Sequence, residues 1–226
     1  MRCAVINNAV LIHHTYSNNN SWFGNSFIDM QRLIFPRHSA YCAAHNIDFW
    51  NLQGGKYPQF DGEAGAWMKV GLIRDALKDY EYVFWIDVDA AIVDFETDLR
   101  DSVKDINIGA VSHNPDKSEW LKMNKVDEHI NVGVIYARNT ETTNLFIDKW
   151  FESYPGPKRW ADQGAFNECM KEMPEAVTCI DDKWNATINV NMVENPVVYA
   201  WHGVPITERF LLMKQRLKDD HLIYTV

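Results

Sequence analysis

Cysteine is scarce: Cys3, Cys42, Cys169 and Cys179 are the only four among 226 residues, and no two form a C-x-x-C pair. This argues against a thiolate zinc site or a disulfide-built scaffold, and free, mostly buried thiols are expected. No apolar run reaches membrane-spanning length, and Met1-Arg2 leads into only a short apolar stretch before Asn7-Asn8. Neither a membrane span nor a signal peptide is expected in this chain, which places it in the cytoplasm. Basic residues are outnumbered, 22 Lys and Arg against 31 Asp and Glu, giving a formal net charge of −9. A deficit of that sign argues against a nucleic-acid partner and against docking on anionic lipid. Repeats, low-complexity blocks and linkers are missing too, so residues 1–226 are read as a single domain.

What the chain does have is a run from Tyr82 to Ile86 that is apolar throughout and ends in Asp87-Val88-Asp89. An aromatic and β-branched run of that kind reads as a buried strand. Carboxylates at its end need something to offset their desolvation. Residues i and i+2 of an extended chain project to one side, so Asp87 and Asp89 are expected to converge on one cation. Two hard oxygen donors without a thiolate suit Mg²⁺ or Mn²⁺, which keeps open positions for substrate phosphates. The plainer alternative is a strand end with two solvated acids.

Patterning along the chain predicts a strand at Cys3 to Ile6, then a polar loop through His13-His14 and on to Ser21. A helix is expected from about Asn25 to His45, with Pro36 as a break or kink. A strand from Ile47 to Leu52, a helix near Glu63 to Lys78 and the strand at Tyr82 to Ile86 follow. Thr97 to Asp105 reads as a short Thr-capped helix. Strands are expected at Ile108 to Ser112 and Val132 to Ala137, then helices at Thr140 to Ser153 and Asp162 to Lys171. Strands near Val177 to Ile180 and Val197 to His202 precede a last helix, Thr207 to Lys218. Strand and helix alternation predicts an α/β fold: three layers with a mostly parallel, mixed sheet flanked by helices.

Other residues are candidates for chemistry. His202 ends an apolar run and can complete a metal site begun by the aspartates, or be a hydrogen-bonded core histidine. Asp162 and Gln163 stand at a helix start, where Asp162 serves either as an N-cap or toward a substrate. Asn131 and Gly133 head an apolar strand; the glycine permits close approach, and the asparagine binds a sugar hydroxyl or closes a turn. Lys69, with Arg74 further along its helix, can meet a diphosphate as a point charge or simply be solvated. Gly203 to Arg209 is a turn leading to a basic residue, a second possible phosphate contact. Asn19 and Asn185 fit the glycosylation pattern, which is frequent by chance.

Taken in order, Trp67-x-Lys69, Phe84 to Ala90, Asn131-Val132-Gly133, Asp162-Gln163 and Trp201-His202-Gly203 resemble a GT-A-fold glycosyltransferase. The chain is most similar to glycosyltransferase family 34, which holds fungal α-galactosyl- and α-mannosyltransferases and plant xyloglucan xylosyltransferases. The resemblance runs from Tyr41 to about Arg209. It implies a nucleotide-sugar donor, a UDP-sugar in most members, and transfer of a hexose or pentose to a glycan acceptor with retention. It implies Mn²⁺ held by Asp87, Asp89 and His202, and catalytic positions at Asp162, Gln163 and Asn131. It further implies that Lys69, Gly133, Gly203 and Arg209 lie along the donor. Eukaryotic members carry an N-terminal anchor and stem that this sequence lacks, so a bacterial or viral source is expected.

Two other classes compete. Phosphatases of the haloacid-dehalogenase type also use a strand ending in Asp-x-Asp, but on the first strand and followed by Thr or Val where this chain has Ala91. A carbohydrate-binding module is suggested by nine tryptophans, most of which sit in apolar runs and are more simply core.

Overall fold

The computed structural model describes residues 9–15, 24–53, 64–123, 125, 127–157 and 160–218. The strand expected at Cys3 to Ile6 lies outside them. The first described strand, β1, is Ala9–Thr15, so His13 and His14 belong to a strand and not to a loop. Helix α1 spans Gly24–His45 without interruption at Pro36. The break expected there does not occur. Pro36 removes one ladder donor, but Met30, Ile34, His38 and Tyr41 bury one face of the helix on both sides of it. Two polar side chains then fasten α1 to strand β4 (Ala90–Ile92): Arg37 donates to the Ile92 carbonyl, and His38 Nε2 accepts from the Ile92 amide at 3.0 Å.

The remaining elements are β2 (Asp48–Gln53), α2 (Ala64–Ala76), β3 (Tyr82–Ile86), β5 (Ile108–His113) and α3 (Glu119–Met123). They continue with β6 (His129–Arg138), α4 (Glu141–Glu152), α5 (Ala161–Glu172), β7 (Val177–Cys179), β8 (Ala186–Thr187), β9 (Val198–Ala200) and α6 (Ile206–Leu217). The expected helix at Thr97 to Asp105 is a 3-10 turn, Leu99–Ser102, and its cap is Asp98, whose side chain accepts from the Arg100 amide.

Six strands form the main sheet in the order β2-β1-β3-β6-β5-β7. β2, β1 and β3 pair in parallel, β6 runs antiparallel to β3 and β5, and β7 is parallel to β5. A smaller sheet, β4-β9-β8, lies beside it. The mixed, mostly parallel α/β architecture expected from the sequence is the one observed.

Strand β3 shows why the architecture has three layers. Val83 and Trp85 pack into a core shared with α2, α4 and α5, through Trp67, Ile73, Trp150 and Phe166. Phe84 and Ile86, on the opposite face, pack with Tyr41 of α1 and with Ile92 and Val198 of the small sheet. A period of two thus serves two separate cores, and a strand buried on both faces must be apolar throughout. A third cluster joins α1, α6 and the small sheet through Ile34, Ala91, Trp201 and Met213.

Candidate active site

The Asp-x-Asp motif does not continue the strand. The Ala90 amide donates to the Asp87 carbonyl at 3.0 Å, which closes a tight turn over residues 87–90. Alternation along an extended chain therefore does not bring the two acids together, contrary to the sequence expectation; the turn does. Asp87 keeps the orientation of Val83 and Trp85, toward the helical layer. Asp89 faces the small sheet and α6.

Asp87 is held from two sides. Trp85 Nε1 donates to its Oδ1 at 2.6 Å, and Lys69 Nζ lies 3.3 Å from the same oxygen. Lys69 is buried on α2 and also reaches Asp162 Oδ2 at 3.2 Å and the Val132 carbonyl at 3.1 Å. A lysine in this position is neither solvated nor projecting outward; its charge is shared between two carboxylates. Burial pushes the Asp162 carboxyl up from its ordinary value, Lys69 opposes that shift, and the nearby Asp87 adds to it. Asp162 is not the N-cap of α5. That position belongs to Trp160, and no side chain caps the helix there.

Asp89 is buried and meets two groups from the chain after β9. Arg209 donates to its Oδ2 and also to the carbonyls of Val204, at 2.8 Å, and His202, at 3.2 Å. His202 Nε2 lies 3.2 Å from Asp89 Oδ1 but hydrogen-bonds to nothing among the described residues. The antiparallel pairing of β4 with β9 brings them together, with the Trp201 amide donating to the Asp89 carbonyl at 2.9 Å.

Ligand atoms of Asp87, Asp89 and His202 all lie within 4.8 Å of one another. Two carboxylates and an imidazole whose buried Nε2 faces an oxygen donor fit a hard or borderline divalent cation. Gly133 makes this geometry possible. A Cβ placed there would stand 2.0 Å from His202 Cε1, so any side chain would collide with the imidazole. Gly203 is equally confined, since a Cβ would lie 2.3 Å from the Ile188 carbonyl oxygen.

Asn131 is not at the head of its strand, which begins two residues earlier at His129. Its Oδ1 accepts from the Gly133 amide and from Asn185 Nδ2, each at 2.9 Å. Asn185 is fully buried in that contact and is not available for glycosylation in the folded chain. Gln163 Oε1 accepts from the Val132 amide at 3.2 Å, which docks α5 against β6. Beside His202 lies a cavity of about 190 Å³, lined by Asn131, Gly203, His113, His129 and Trp160. Burial, and the proximity of His202 and His129, hold His113 well below the ordinary imidazole range.

The structure thus gathers Asp87, Asp89, His202, Gly133, Lys69, Asp162, Asn131, Gly203 and Arg209 into one region, with Gln163 on the adjoining helix. Arg74 is elsewhere, paired with Asp148 of α4 at 2.5 Å. Sequence reasoning missed Trp85, although its position two residues before Asp87 on the same face was a usable signal. Asn185, His113, His129 and Trp160 gave no comparable signal.

Residues 7–178 match the model of the galactosyl transferase GMA12/MNN10 family. An alpha-1,2-galactosyltransferase of Schizosaccharomyces pombe is 23% identical over 170 residues, 63% of this chain and 45% of that protein. Galactomannan galactosyltransferase 1 of Cyamopsis tetragonoloba is 27% identical over 128 residues, 54% of this chain and 27% of that protein. The chain spans less than half the length of either relative, and both come from eukaryotes. Among solved structures, a glycosyltransferase involved in glycosylation of the major capsid of PBCV-1 superimposes with a TM-score of 0.66 at 14% identity, covering 92% of this chain and 99% of that one. The galactosyltransferase LgtC, solved with donor and acceptor sugar analogues, superimposes with a TM-score of 0.54 at 16% identity over 97% of each chain. These likenesses identify the GT-A fold and do not favour the phosphatase reading. The matched segment covers well over half of the sequence, and the chain belongs to the galactosyl transferase GMA12/MNN10 family.

Proposed function

We propose that the chain is a metal-dependent glycosyltransferase that moves a hexose or pentose from a UDP-sugar to a glycan hydroxyl with retention. The observation that carries this reading is the convergence of Asp87, Asp89 and His202 on one point of a GT-A fold. Mn²⁺ or Mg²⁺ bound there supplies a Lewis acid for the negative charge that develops on the departing diphosphate.

The chain's own residues do the rest. Trp85 and Lys69 fix the Asp87 carboxylate, and Gly133 leaves space for the His202 ring. Asn131, fixed by Asn185, presents its amide to the cavity beside His202, where the sugar and the acceptor hydroxyl would meet. Asp162, paired with Lys69, would add negative charge near an oxocarbenium-like centre. Gln163 positions α5 beside it. Inversion would need a base on the face opposite the leaving group, a place that Asp162 could take, so retention follows from the family resemblance alone. The departing phosphate would take the acceptor proton.

Thermal unfolding with UDP, GDP and nucleotide sugars, each with and without Mn²⁺, tests the reading. UDP or a UDP-sugar is expected to raise the melting temperature only when Mn²⁺ is present. Asp87→Ala and Asp89→Ala are expected to fold and to lose metal-dependent turnover. Full turnover in either variant would remove the core of the proposal, and the anomeric configuration of the product, read by NMR, decides retention.

A further inference from the structure

Trp160 is the unusual residue of this region. It is 37% exposed, whereas Trp67, Trp85, Trp150, Trp184 and Trp201 are buried. Its backbone is left-handed, φ 62° and ψ 16°, and Ala161 follows at φ 40°. Such a conformation is unfavourable for a bulky residue, and stability alone would favour glycine or asparagine there. The indole packs on the His129 ring, with centroids 4.4 Å apart and planes inclined at 38°. Together the two rings line both the cavity beside His202 and a larger one, of about 430 Å³, that opens beyond them. The larger cavity falls within the ~300–1,000 Å³ typical of small-molecule sites.

Its lining has a definite chemistry. Asp127, Glu128 and Glu168 contribute carboxylates, and Asn167 and Ser112 contribute hydrogen-bonding groups. Lys171 is the single Lys or Arg among the described lining residues, and it is paired with Glu168 at 2.8 Å. Carboxylates accept from hydroxyls and repel anions. An aromatic wall offers an apolar face to the C–H side of a pyranose.

We infer that Trp160 and His129 form the platform of an extended acceptor subsite, which carries a neutral oligosaccharide from the metal centre into the larger cavity and excludes anionic glycans. Adjacency carries the inference: the same two rings line the cavity beside His202 and the outer one. The inference rests on the transferase reading, so its test separates the two.

Binding of neutral manno-, galacto- and gluco-configured tetrasaccharides, and of tetragalacturonate, is measured by saturation-transfer NMR. Trp160→Gly is the main variant, because glycine adopts the left-handed backbone without strain, and its melting curve checks that it is folded. At least one neutral tetrasaccharide is expected to bind wild type more tightly than its monosaccharide. Trp160→Gly should weaken that binding about tenfold. Trp160→Phe should restore most of it, and tetragalacturonate should bind at least about tenfold more weakly than the neutral ligand. The inference is overturned if Trp160→Gly binds like wild type, if no neutral tetrasaccharide binds, or if tetragalacturonate binds equally well. Oligosaccharide binding without any Mn²⁺-dependent UDP stabilisation of wild type would instead overturn the transferase reading, and the acceptor role with it.

Discussion

Gly133→Ala isolates the geometry of the proposed metal site with one methyl group. The added Cβ would lie 2.0 Å from His202 Cε1 and 2.8 Å from both ring nitrogens. Carbon atoms in ordinary contact sit about 3.5–4.0 Å apart, so the ring must retreat by roughly 1.5 Å. A donor moved that far leaves the first coordination sphere, where bonds to these cations are about 2.0–2.6 Å long. Mn²⁺ affinity should fall by at least about tenfold, equivalent to ~1.4 kcal/mol. Isothermal titration with Mn²⁺ measures this, and circular dichroism checks that the strand is intact. His202→Ala supplies the control: if Gly133→Ala acts through the imidazole, combining the two should cost no more than His202→Ala alone. Mn²⁺ binding by Gly133→Ala within about twofold of wild type, or a cost that adds to that of His202→Ala, would refute the steric argument.

Two further outcomes follow from the charges around the site and at the end of α1. Lys69→Met leaves Asp87 and Asp162 facing each other without their shared cation and should cost about 3 kcal/mol in urea unfolding at pH 7. Lys69 opposes the rise that burial imposes on the Asp162 carboxyl, so without it that carboxyl is raised further, and the deficit should shrink as pH falls through the variant's value; a pH-independent deficit would contradict this. For Asp98, burial raises the carboxyl, but hydrogen bonds from the Arg100 side chain and amide outweigh it and hold the group below the ordinary range. Its stabilisation is present above the unfolded value of about 3.9 and is lost as pH falls through the depressed one. Asp98→Asn should remove that part of the acid limb and about 1 kcal/mol of stability at pH 7, read from urea melts between pH 2.5 and 7.

The sequence announces an element when one element serves one purpose. Tyr82 to Ile86 was predicted to the residue because both of its faces are buried, which forces an apolar run with abrupt ends. β4 and β8, with three and two residues, are too short to show any period. The loop expected through His13-His14 is the end of β1: His13, His14 and Thr15 are polar, yet their backbones pair with Asn51, Leu52 and Gln53. The site followed the same logic. Asp87, Asp89 and His202 were named because acids and a histidine at the ends of apolar runs need a reason to be there. The turn that joins the acids was invisible, since Val88 and Ala90 carry no turn signature. Lys69 stood in a helix of ordinary composition, and only the fold discloses that it lies between two carboxylates. Trp160 gave no warning at all, because a tryptophan is a poor choice for a left-handed backbone.

The turn at residues 87–90 also divides the motif between two separately packed bodies. Asp87 is anchored to the helical layer through Lys69 and Trp85, while Asp89 is anchored to α6 and the small sheet through Arg209 and the Trp201 amide. Three residues of chain are the covalent span between those anchorages. A cation seated across them would act as a rivet, and part of its binding energy would appear as resistance of the two cores to shearing apart.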